Sequence, residues 1–218
     1  MQPTVFPGVF RHGRDLYTRN AEPGRRVYGE DLRVESGVEY RRWDPFRSKL
    51  AAWLLKNEHG RAISAPTSAL YLGGAHGTTV SHLSDAWPES ALFVIEKSSL
   101  SFAPLLELAK RRANLLPILA DAQLPERYAA DVGDVEFLYQ DVAQRNQAGI
   151  FAENAAAVLR RGGSGLLMLK IRSVSQSRSS REVVAESRRL LEGAGLKVGP
   201  TIELHPFSRE HAALWVDV

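Results

Sequence analysis

Residues 68–84, SALYLGGAHGTTVSHLS, decide the fold of this chain. A short apolar run at residues 69–72 leads into a glycine-rich turn, and apolar residues then recur at helical spacing. The order strand, glycine turn, helix is typical of nucleotide-type cofactor sites, where glycine lets the backbone turn tightly and approach a ligand. The following helix offers free N–H groups and the positive end of its dipole to an anionic group. The stretch therefore predicts an α/β fold with a cofactor site.

The spacing of the glycines narrows the kind of cofactor. A dinucleotide fold needs the pattern G-x-G-x-x-G before the helix, and after Gly73 the other two glycine positions hold Ala75 and Thr78. The looser G-x-x-x-G from Gly73 to Gly77 suits S-adenosyl-L-methionine, which has no pyrophosphate. A glycine after a buried strand is also a common way to begin a helix, so the turn alone leaves both interpretations open.

Length and composition exclude several classes of protein. A chain of 218 residues with 44% hydrophobic and 24% charged residues can form one α/β domain with a small appendage. It contains no cysteine, which excludes disulfides, thiolate catalysis and cysteine-based zinc sites, and the six scattered histidines predict no metal site. No stretch approaches a membrane span and no signal-peptide core is present. We expect a cytoplasmic protein without membrane contact.

The basic residues are unusual in kind. The net charge is only +3, yet 22 of the 28 basic residues are arginine. The planar guanidinium group donates bidentate hydrogen bonds to phosphate and stacks on bases, which suits RNA. A solvated surface or a coding bias explains the same composition almost as well.

Residues 1–43 differ from the rest of the chain. Short extended runs alternate there with turn pairs such as His12-Gly13, Pro23-Gly24 and Ser36-Gly37. This pattern predicts a small N-terminal antiparallel β domain over residues 1–43, followed by the main domain over residues 44–218. Its many arginines fit either nucleic-acid contact or solvated strand edges.

Asp44-Pro45 predicts the start of a helix, with aspartate as the N-cap and proline in the first turn. An apolar stripe follows at the spacing of one helix face, and its members are Phe46, Leu50, Trp53 and Leu54. Lys49 lies at the border of that stripe, where a lysine usually extends into solvent.

From residue 65 onward, strand patterns alternate with helix patterns. The predicted strands are residues 69–72, 92–95, 117–119, 135–139, 165–170, 198–204 and 213–218. This alternation predicts a doubly wound, seven-stranded, mostly parallel sheet. The last two strands have no helix between them and should form an antiparallel hairpin at one edge. Gly162-Gly163 and Gly193/Gly195 are predicted to end two of the helices.

Polar side chains follow the predicted strands at their carboxyl ends, where open α/β sheets bind ligands. The second, third and fourth strands lead to Glu96, Asp121 and Asp141, and the fifth ends at Lys170. Glu96 suits a ribose diol and Asp121 an adenine amino group. A cation beside Asp141 would form a coupled acid–base pair. Each residue alone fits ordinary capping, but the series fits a nucleoside.

Four motifs together resemble the fibrillarin family in its short archaeal form. They are YRRWDPFRSKL at residues 40–50, LYLGGAHGTTVSHL at 70–83, DVAQRNQ at 141–147 and PFSREHA at 206–212. The resemblance covers nearly the whole chain and implies an S-adenosyl-L-methionine-dependent 2′-O-ribose methyltransferase acting on rRNA and tRNA. It also implies a box C/D ribonucleoprotein, with a guide RNA, a target RNA, a Nop-domain scaffold protein and a kink-turn-binding protein.

The resemblance assigns residues to two groups. The family's catalytic set corresponds to Lys49, Asp141, Lys170 and His211. The cofactor contacts correspond to Gly73, Ala75, Thr78, Thr79, Glu96, Lys97, Asp121, Ala122, Asp141, Val142, Ala143 and Gln144. In this interpretation Lys170 polarises or deprotonates the 2′-hydroxyl with Asp141 as its partner, while Lys49 and His211 position the ribose and its phosphate.

The chain departs from the family pattern at a few positions. Lys97 replaces the usual aromatic residue, Gly74 and His76 replace alanine and serine in the turn, and Arg145 replaces a proline. His82, by contrast, is predicted to be a structural residue on a helix surface.

Two other classes of function remain open from the sequence. One is a methyltransferase that has the same cofactor-binding part of the fold but modifies a protein or a small molecule. The other is a non-catalytic assembly subunit of the same fold. A nicotinamide oxidoreductase ranks third, because the glycine spacing disfavours it.

Overall fold

The N-terminal part of the chain forms a small antiparallel sheet. The computed structural model describes residues 1–57, 60 and 63–218. The strands of the first sheet are β1 (Gln2–Pro3), β2 (Val9–His12), β3 (Asp15–Arg19), β4 (Leu32–Glu35) and β5 (Val38–Trp43). They lie in the order β1-β2-β3-β5-β4, and every neighbouring pair is antiparallel. The predicted strands of this region are confirmed.

The second sheet carries the α/β fold. Its strands are β6 (Ser68–Leu72), β7 (Ala91–Glu96), β8 (Leu115–Leu119), β9 (Val135–Gln140), β10 (Leu159–Lys170), β11 (Lys197–Glu203) and β12 (His211–Asp217). The order is β11-β12-β10-β9-β6-β7-β8, and β6 to β10 are mutually parallel. The antiparallel hairpin of β11 and β12 joins the sheet along β10. The predicted mostly parallel sheet of seven strands with an antiparallel edge hairpin is therefore confirmed.

The helices connect the parallel strands. They are α1 (Lys49–Lys56), α2 (Thr78–Ala86), α3 (Ser99–Ala109), α4 (Ala129–Val132), α5 (Gln147–Val158), α6 (Ile171–Val174) and α7 (Ser180–Gly193). A capping box between Ser179 and Glu182 begins α7. In the described residues, no helix has both the length and the apolar character that crossing a bilayer requires.

The prediction that α1 begins at Asp44 and Pro45 was wrong. The helix begins at Lys49, because the hydroxyl of Ser48 accepts a hydrogen bond from the N–H of Ala51 and caps the first turn. Asp44 instead accepts a hydrogen bond from the N–H of Phe46 within the preceding turn. Phe46 consequently lies outside the buried stripe and is 67% exposed.

The prediction that Gly162-Gly163 ends a helix was also wrong. Helix α5 ends at Val158, and both glycines lie within β10. The register between β10 and β9 shifts between Leu159 and Ser164, so the glycines accommodate an irregularity in a strand. By contrast, α7 ends at Gly193 and Gly195 adopts a positive φ, as predicted.

The two sheets share one hydrophobic cluster across the face of α2. Phe6 stacks on Trp87 at 4.9 Å, and Trp43 stacks on His82 at 4.8 Å. His82 is completely buried, so its prediction as a surface residue was wrong. Its position depends on the N-terminal sheet, whose strand β3 lies against α2. Apolar burial of this kind stabilises the contact between the two sheets.

Candidate functional site

A cavity of about 320 Å³ opens at the carboxyl ends of the central parallel strands. It is lined by Gly73, Ala75, Ile95, Glu96, Lys97, Ala120, Asp121, Ala122, Asp141, Val142, Ala143 and Gln144. All cofactor residues named from the resemblance line it except Thr78 and Thr79. Ile95 and Ala120 were missed, because an apolar residue in a strand or just after it gives no sign in the sequence of which ligand it faces.

The glycine turn forms one wall of the cavity and requires glycine at two positions. Gly73 and Gly77 have φ angles of 88° and 87°, a region that residues with a Cβ rarely adopt. A Cβ on Gly73 would also lie 2.4 Å from the carbonyl oxygen of Asp141. The turn is fixed to β7, because the N–H of Gly73 donates to the carbonyl of Ile95 at 2.8 Å. The backbone therefore passes directly beside the ends of β7 and β9.

Glu96, at the end of β7, connects the glycine turn to the start of α3. One carboxylate oxygen accepts from the N–H of Ala75 at 2.8 Å and the other from the N–H of Ser98 at 2.8 Å. Each oxygen retains a second lone pair. The carboxylate is thus held in a fixed orientation at the cavity wall and remains able to accept hydrogen bonds from hydroxyl groups.

Asp121 marks the opposite wall. Its burial alone would raise the pKa, but hydrogen bonds from the Gln123 N–H and the Gln144 amide, with the charge of Lys97, lower the pKa of Asp121 overall. Lys97 Nζ lies 3.6 Å from the carboxylate. The residue that replaces the family's aromatic therefore forms an ion pair across the rim instead of a stacking surface.

Asp141, at the end of β9, is paired with a lysine from the start of α1. Its Oδ2 accepts from Nζ of Lys49 at 2.9 Å, and both side chains are largely buried. The sequence interpretation paired Asp141 with Lys170 instead. Among the described residues, the ion-pair partner of Asp141 is Lys49, because Ser48 begins the helix one residue earlier and directs Lys49 toward the sheet.

His211 begins β12, opposite Lys170 of β10. Its Nδ1 lies 2.6 Å from the carbonyl oxygen of Arg209, which can only accept, so Nδ1 carries the proton. Burial lowers the pKa of His211 below its usual 6.5, and the charges of Lys49 and Lys170 lower it further, against the raising effects of the hydrogen bond to Arg209 and of the Asp141 charge. The ring is therefore neutral near pH 7. Its Nε2 is a buried acceptor without a hydrogen-bond partner in the described chain.

The structure thus brings Lys49, Asp141, Lys170 and His211 close together from four separate parts of the chain, since Lys49 bonds to Asp141 and the charges of all three other residues act on the ring of His211. Asp141 also lines the cavity itself, so the four residues adjoin the space beside the glycine turn. Such a cluster of two cations, a carboxylate and a neutral imidazole can position a polar acceptor and move one proton.

Thr78 and Thr79 lie outside the cavity wall. Thr79 is buried, and its hydroxyl donates to the hydroxyl of Ser48 at 2.9 Å. The carbonyl of Thr78 accepts from the hydroxyl of Ser81. In this conformation Thr79 connects α2 to the start of α1, Thr78 is bonded within α2, and their contact with a cofactor stays a prediction.

Comparisons with known proteins agree with one another. The family model described as Fibrillarin matches residues 2–218. A fibrillarin-like rRNA/tRNA 2′-O-methyltransferase of Methanosarcina acetivorans is 44% identical over 206 residues, which cover 93% of this chain and 90% of that protein.

Two solved structures are similar over most of the chain. Aeropyrum pernix fibrillarin, in complex with natively bound S-adenosyl-L-methionine, has a TM-score of 0.85 and 40% identity, and the match covers 93% of this chain and 88% of that one. A chain of a fibrillarin/Nop5p complex has a TM-score of 0.89 and 35% identity, with 99% of each chain covered.

Proposed function

The chain belongs to the fibrillarin family, and from this premise we propose that it is an S-adenosyl-L-methionine-dependent RNA 2′-O-methyltransferase. The observation that carries the proposal is the Lys49–Asp141 ion pair at the edge of a nucleoside-sized cavity, with Lys170 and His211 beside it. The relatives named as rRNA/tRNA 2′-O-methyltransferases support RNA as the substrate, and the Aeropyrum pernix complex supports the cofactor.

The residues of the cavity fit S-adenosyl-L-methionine. The oriented carboxylate of Glu96 suits the two hydroxyls of a ribose, and Asp121 suits an amino group on an adenine ring. Gln144 has a buried Oε1 atom without a partner among the described residues, which leaves one acceptor for a bound donor. When bound, the cofactor would supply a methyl group on a positively charged sulfur, already activated toward an oxygen nucleophile.

The catalytic task of the chain is alignment together with the removal of one proton. Alignment of two reactants can supply roughly 7–11 kcal/mol, whereas a positioned base supplies roughly 10²–10⁴-fold in rate. Alignment should therefore dominate. Lys49 holds the Asp141 carboxylate in place at the cavity edge. Lys170 polarises the 2′-hydroxyl or accepts its proton, and an amine accepts a proton only in its neutral form.

His211 has a separate role in this mechanism. Because its ring is neutral and its Nδ1–H is bound to a carbonyl, Nε2 can only accept a hydrogen bond. It therefore adds no positive charge to the site. We assign it to orienting the ribose together with Lys49.

Sequence specificity should come from a guide RNA. Modules that read single-stranded RNA stack bases on aromatic side chains of an open sheet face. In the described part of the chain, Phe46 is the only exposed phenylalanine, tyrosine or tryptophan, and it lies in a turn. We propose that this chain is the catalytic subunit of a box C/D complex with guide RNA, target RNA, a Nop-domain scaffold protein and a kink-turn-binding protein. The similarity to the fibrillarin chain solved with Nop5p supports the scaffold partner.

The proposal is tested by methyl transfer in a reconstituted guide complex, using target RNA and methyl-labelled cofactor. We expect methylation at the guided ribose with the wild-type chain, little with the isolated chain, and none with Lys170→Ala. Calorimetry should give the same affinity of that variant for S-adenosyl-L-methionine within about twofold. Normal turnover by Lys170→Ala would refute the role of Lys170, and transfer to protein but not to RNA would refute the substrate class.

A further inference from the structure

The side chain of Gln147 connects the ends of two strands. Gln147 is the first residue of α5 and is 1% exposed. Its Oε1 accepts from the backbone N–H of Lys170 at 2.8 Å, and its Nε2 donates to the carbonyl oxygen of Lys170 at 3.1 Å. One amide side chain thus binds both backbone polar groups of a single residue, which in a continuous sheet would be bound by the neighbouring strand.

The position of Lys170 in the sheet explains why this contact is needed. The parallel pairing of β10 with β9 ends at Leu167 and Gln140, and β10 continues for three residues to Lys170. Successive N–H groups of a strand point to opposite sides. The N–H of Ile171 donates to Glu210 on the β12 side, so the N–H of Lys170 points to the side that β9 has already left. Gln147 occupies the place of the missing strand.

A second buried amide extends the connection to the other strand end. Gln140 is fully buried, and its Nε2 donates to the backbone carbonyl of Gln147 at 2.7 Å. Gln140 directly precedes Asp141, the partner of Lys49. The two glutamines therefore link the end of β9, which carries Asp141, to the end of β10, which carries Lys170. Buried hydrogen-bonded groups of this kind fix local geometry strongly.

We propose that Gln147 is a positioning residue for methyl transfer, and this inference rests on the proposed function. Gln147 holds the backbone of Lys170 in register with Asp141 and His211. Gln147 does not line the cofactor cavity. Its removal should therefore act on the chemical step and leave the affinity for S-adenosyl-L-methionine unchanged. A displacement of about 1 Å in a reacting group can lower a rate by roughly 100-fold.

Gln147→Met tests the contact directly, because methionine has a similar shape and cannot form either strong hydrogen bond. In single-turnover assays of the complete guide complex, we expect the rate of methyl transfer to fall roughly 10-fold to 100-fold. The affinity for S-adenosyl-L-methionine and the KM for target RNA should change by less than about threefold. A rate within twofold of wild type would overturn the proposal.

Gln147→Glu keeps the acceptor for the N–H of Lys170 and removes the donor. Without the hydrogen bond to the carbonyl oxygen of Lys170, the single-turnover rate should fall, while the affinity for S-adenosyl-L-methionine changes by less than about threefold. A purely structural role of Gln147 lowers the melting temperature and leaves the rate of the folded complex unchanged, so a wild-type rate in Gln147→Glu would overturn the proposal even where Gln147→Met fails to fold.

Asn114→Ala is the matched control. The Asn114 amide also holds two backbone carbonyls, those of Ser84 and Trp87, but away from the cavity. This variant should lower the melting temperature and keep the wild-type rate. An equal loss of rate in Asn114→Ala would mean that the slower methyl transfer of the Gln147 variants comes from lost stability, and it would overturn the proposal. Absence of methylation by the wild-type complex would instead refute the proposed function itself.

Discussion

Nζ of Lys49 lies 2.9 Å from Oδ2 of Asp141, although the two residues are 92 positions apart in the chain. The lysine is the first residue of α1, and the aspartate follows the last residue of β9. The Ser48 cap sets the start of the helix, and with it the position of the lysine. Because the two side chains are only 25% and 20% exposed, solvent screens the pair less than it screens a surface ion pair.

Lys49→Met should leave the Asp141 carboxylate without its ion-pair partner. We expect the single-turnover rate to fall roughly 10-fold to 100-fold, because the carboxylate is no longer fixed beside the reacting groups. Binding of S-adenosyl-L-methionine, measured by calorimetry, should change by less than about twofold. Lys110→Met is the control, since Lys110 pairs on an exposed helix face with Glu107. A wild-type rate in Lys49→Met would contradict the role of the pair.

The carboxylates that line the cavity could be predicted from the sequence, because the fold follows a simple rule. Parallel strands bring their carboxyl ends to one edge of a sheet, so the residues that follow them meet there. Glu96, Asp121 and Asp141 could therefore be placed together without any knowledge of their contacts. The tight turn at Gly73 and Gly77 was also expected from the local pattern, and both residues have positive φ angles.

Contacts between distant parts of the chain could not be predicted in this manner. His82 was expected at a helix surface, and its burial depends on packing against a strand that lies about 64 positions earlier, at Thr18. Gln147 gave no sign of its role, because that role depends on where β9 stops relative to β10. Lys170 was assigned as the partner of Asp141 because both residues stand at strand ends. The observed partner, Lys49, depends on Ser48 rather than Asp44 capping α1.

Lys97→Tyr should strengthen the binding of S-adenosyl-L-methionine. The Lys97–Asp121 pair is half-exposed at 3.6 Å and contributes at most about 1 kcal/mol. An aromatic ring at this rim position could stack on an adenine ring, which contributes about 0.5–1.5 kcal/mol beyond area burial. We expect a dissociation constant lower by roughly threefold to tenfold, measured by calorimetry. Weaker binding would show that the Lys97–Asp121 ion pair shapes the cavity.

Lys97→Met separates the two effects of Lys97→Tyr, which are the loss of a charge and the gain of an aromatic ring. It removes the same charge and offers no ring for stacking. Its affinity should stay within about twofold of wild type. If Lys97→Tyr and Lys97→Met gained affinity for S-adenosyl-L-methionine equally, the gain would come from the lost charge and not from stacking.

Arg41 should be essential for stability. Its guanidinium group is fully buried and forms hydrogen bonds with Glu30 at 2.5 Å, Asp85 at 2.6 Å and Ser81 at 2.9 Å. Arg41→Met would leave two buried carboxylates without this partner, which costs about 3–5 kcal/mol. Urea denaturation should show this loss. Arg33→Met, at an exposed arginine of the same sheet, should change the free energy of unfolding by less than about 1 kcal/mol.

Arg41 also connects the two parts into which the chain was predicted to divide, residues 1–43 and 44–218. We propose that residues 1–43 form a domain of their own that folds together with residues 44–218, because Arg41 and Asp85 connect them in a buried ion pair. Wild-type unfolding should then be a single transition by fluorescence and by far-UV circular dichroism. Two separate transitions would contradict this coupling.

His82 should make stability depend on pH. The hydroxyl of Thr18 lies 2.8 Å from Nδ1 of His82 and 3.3 Å from Oδ2 of Asp85, so the ring is hydrogen-bonded inside the protein. Tyr28, whose pKa burial raises to about 12, lies with its hydroxyl 2.7 Å from Nε2. Burial, with the charges of Arg41 and Arg112, lowers the pKa of His82 well below 6.5. The folded ring is therefore neutral.

Below about pH 6.5 the unfolded chain binds a proton at His82 that the folded chain does not, so the free energy of unfolding should fall with decreasing pH. One such proton contributes at most about 1.4 kcal/mol per pH unit. His82→Gln should be less stable at pH 7.5 by about 1–3 kcal/mol, from lost buried hydrogen bonds, and should show a shallower slope between pH 5 and 6.5. Urea denaturation at each pH measures the free energy of unfolding and therefore its slope with pH. His205→Gln, at an exposed histidine, is the control. An unchanged slope in His82→Gln would assign the acid sensitivity to other groups.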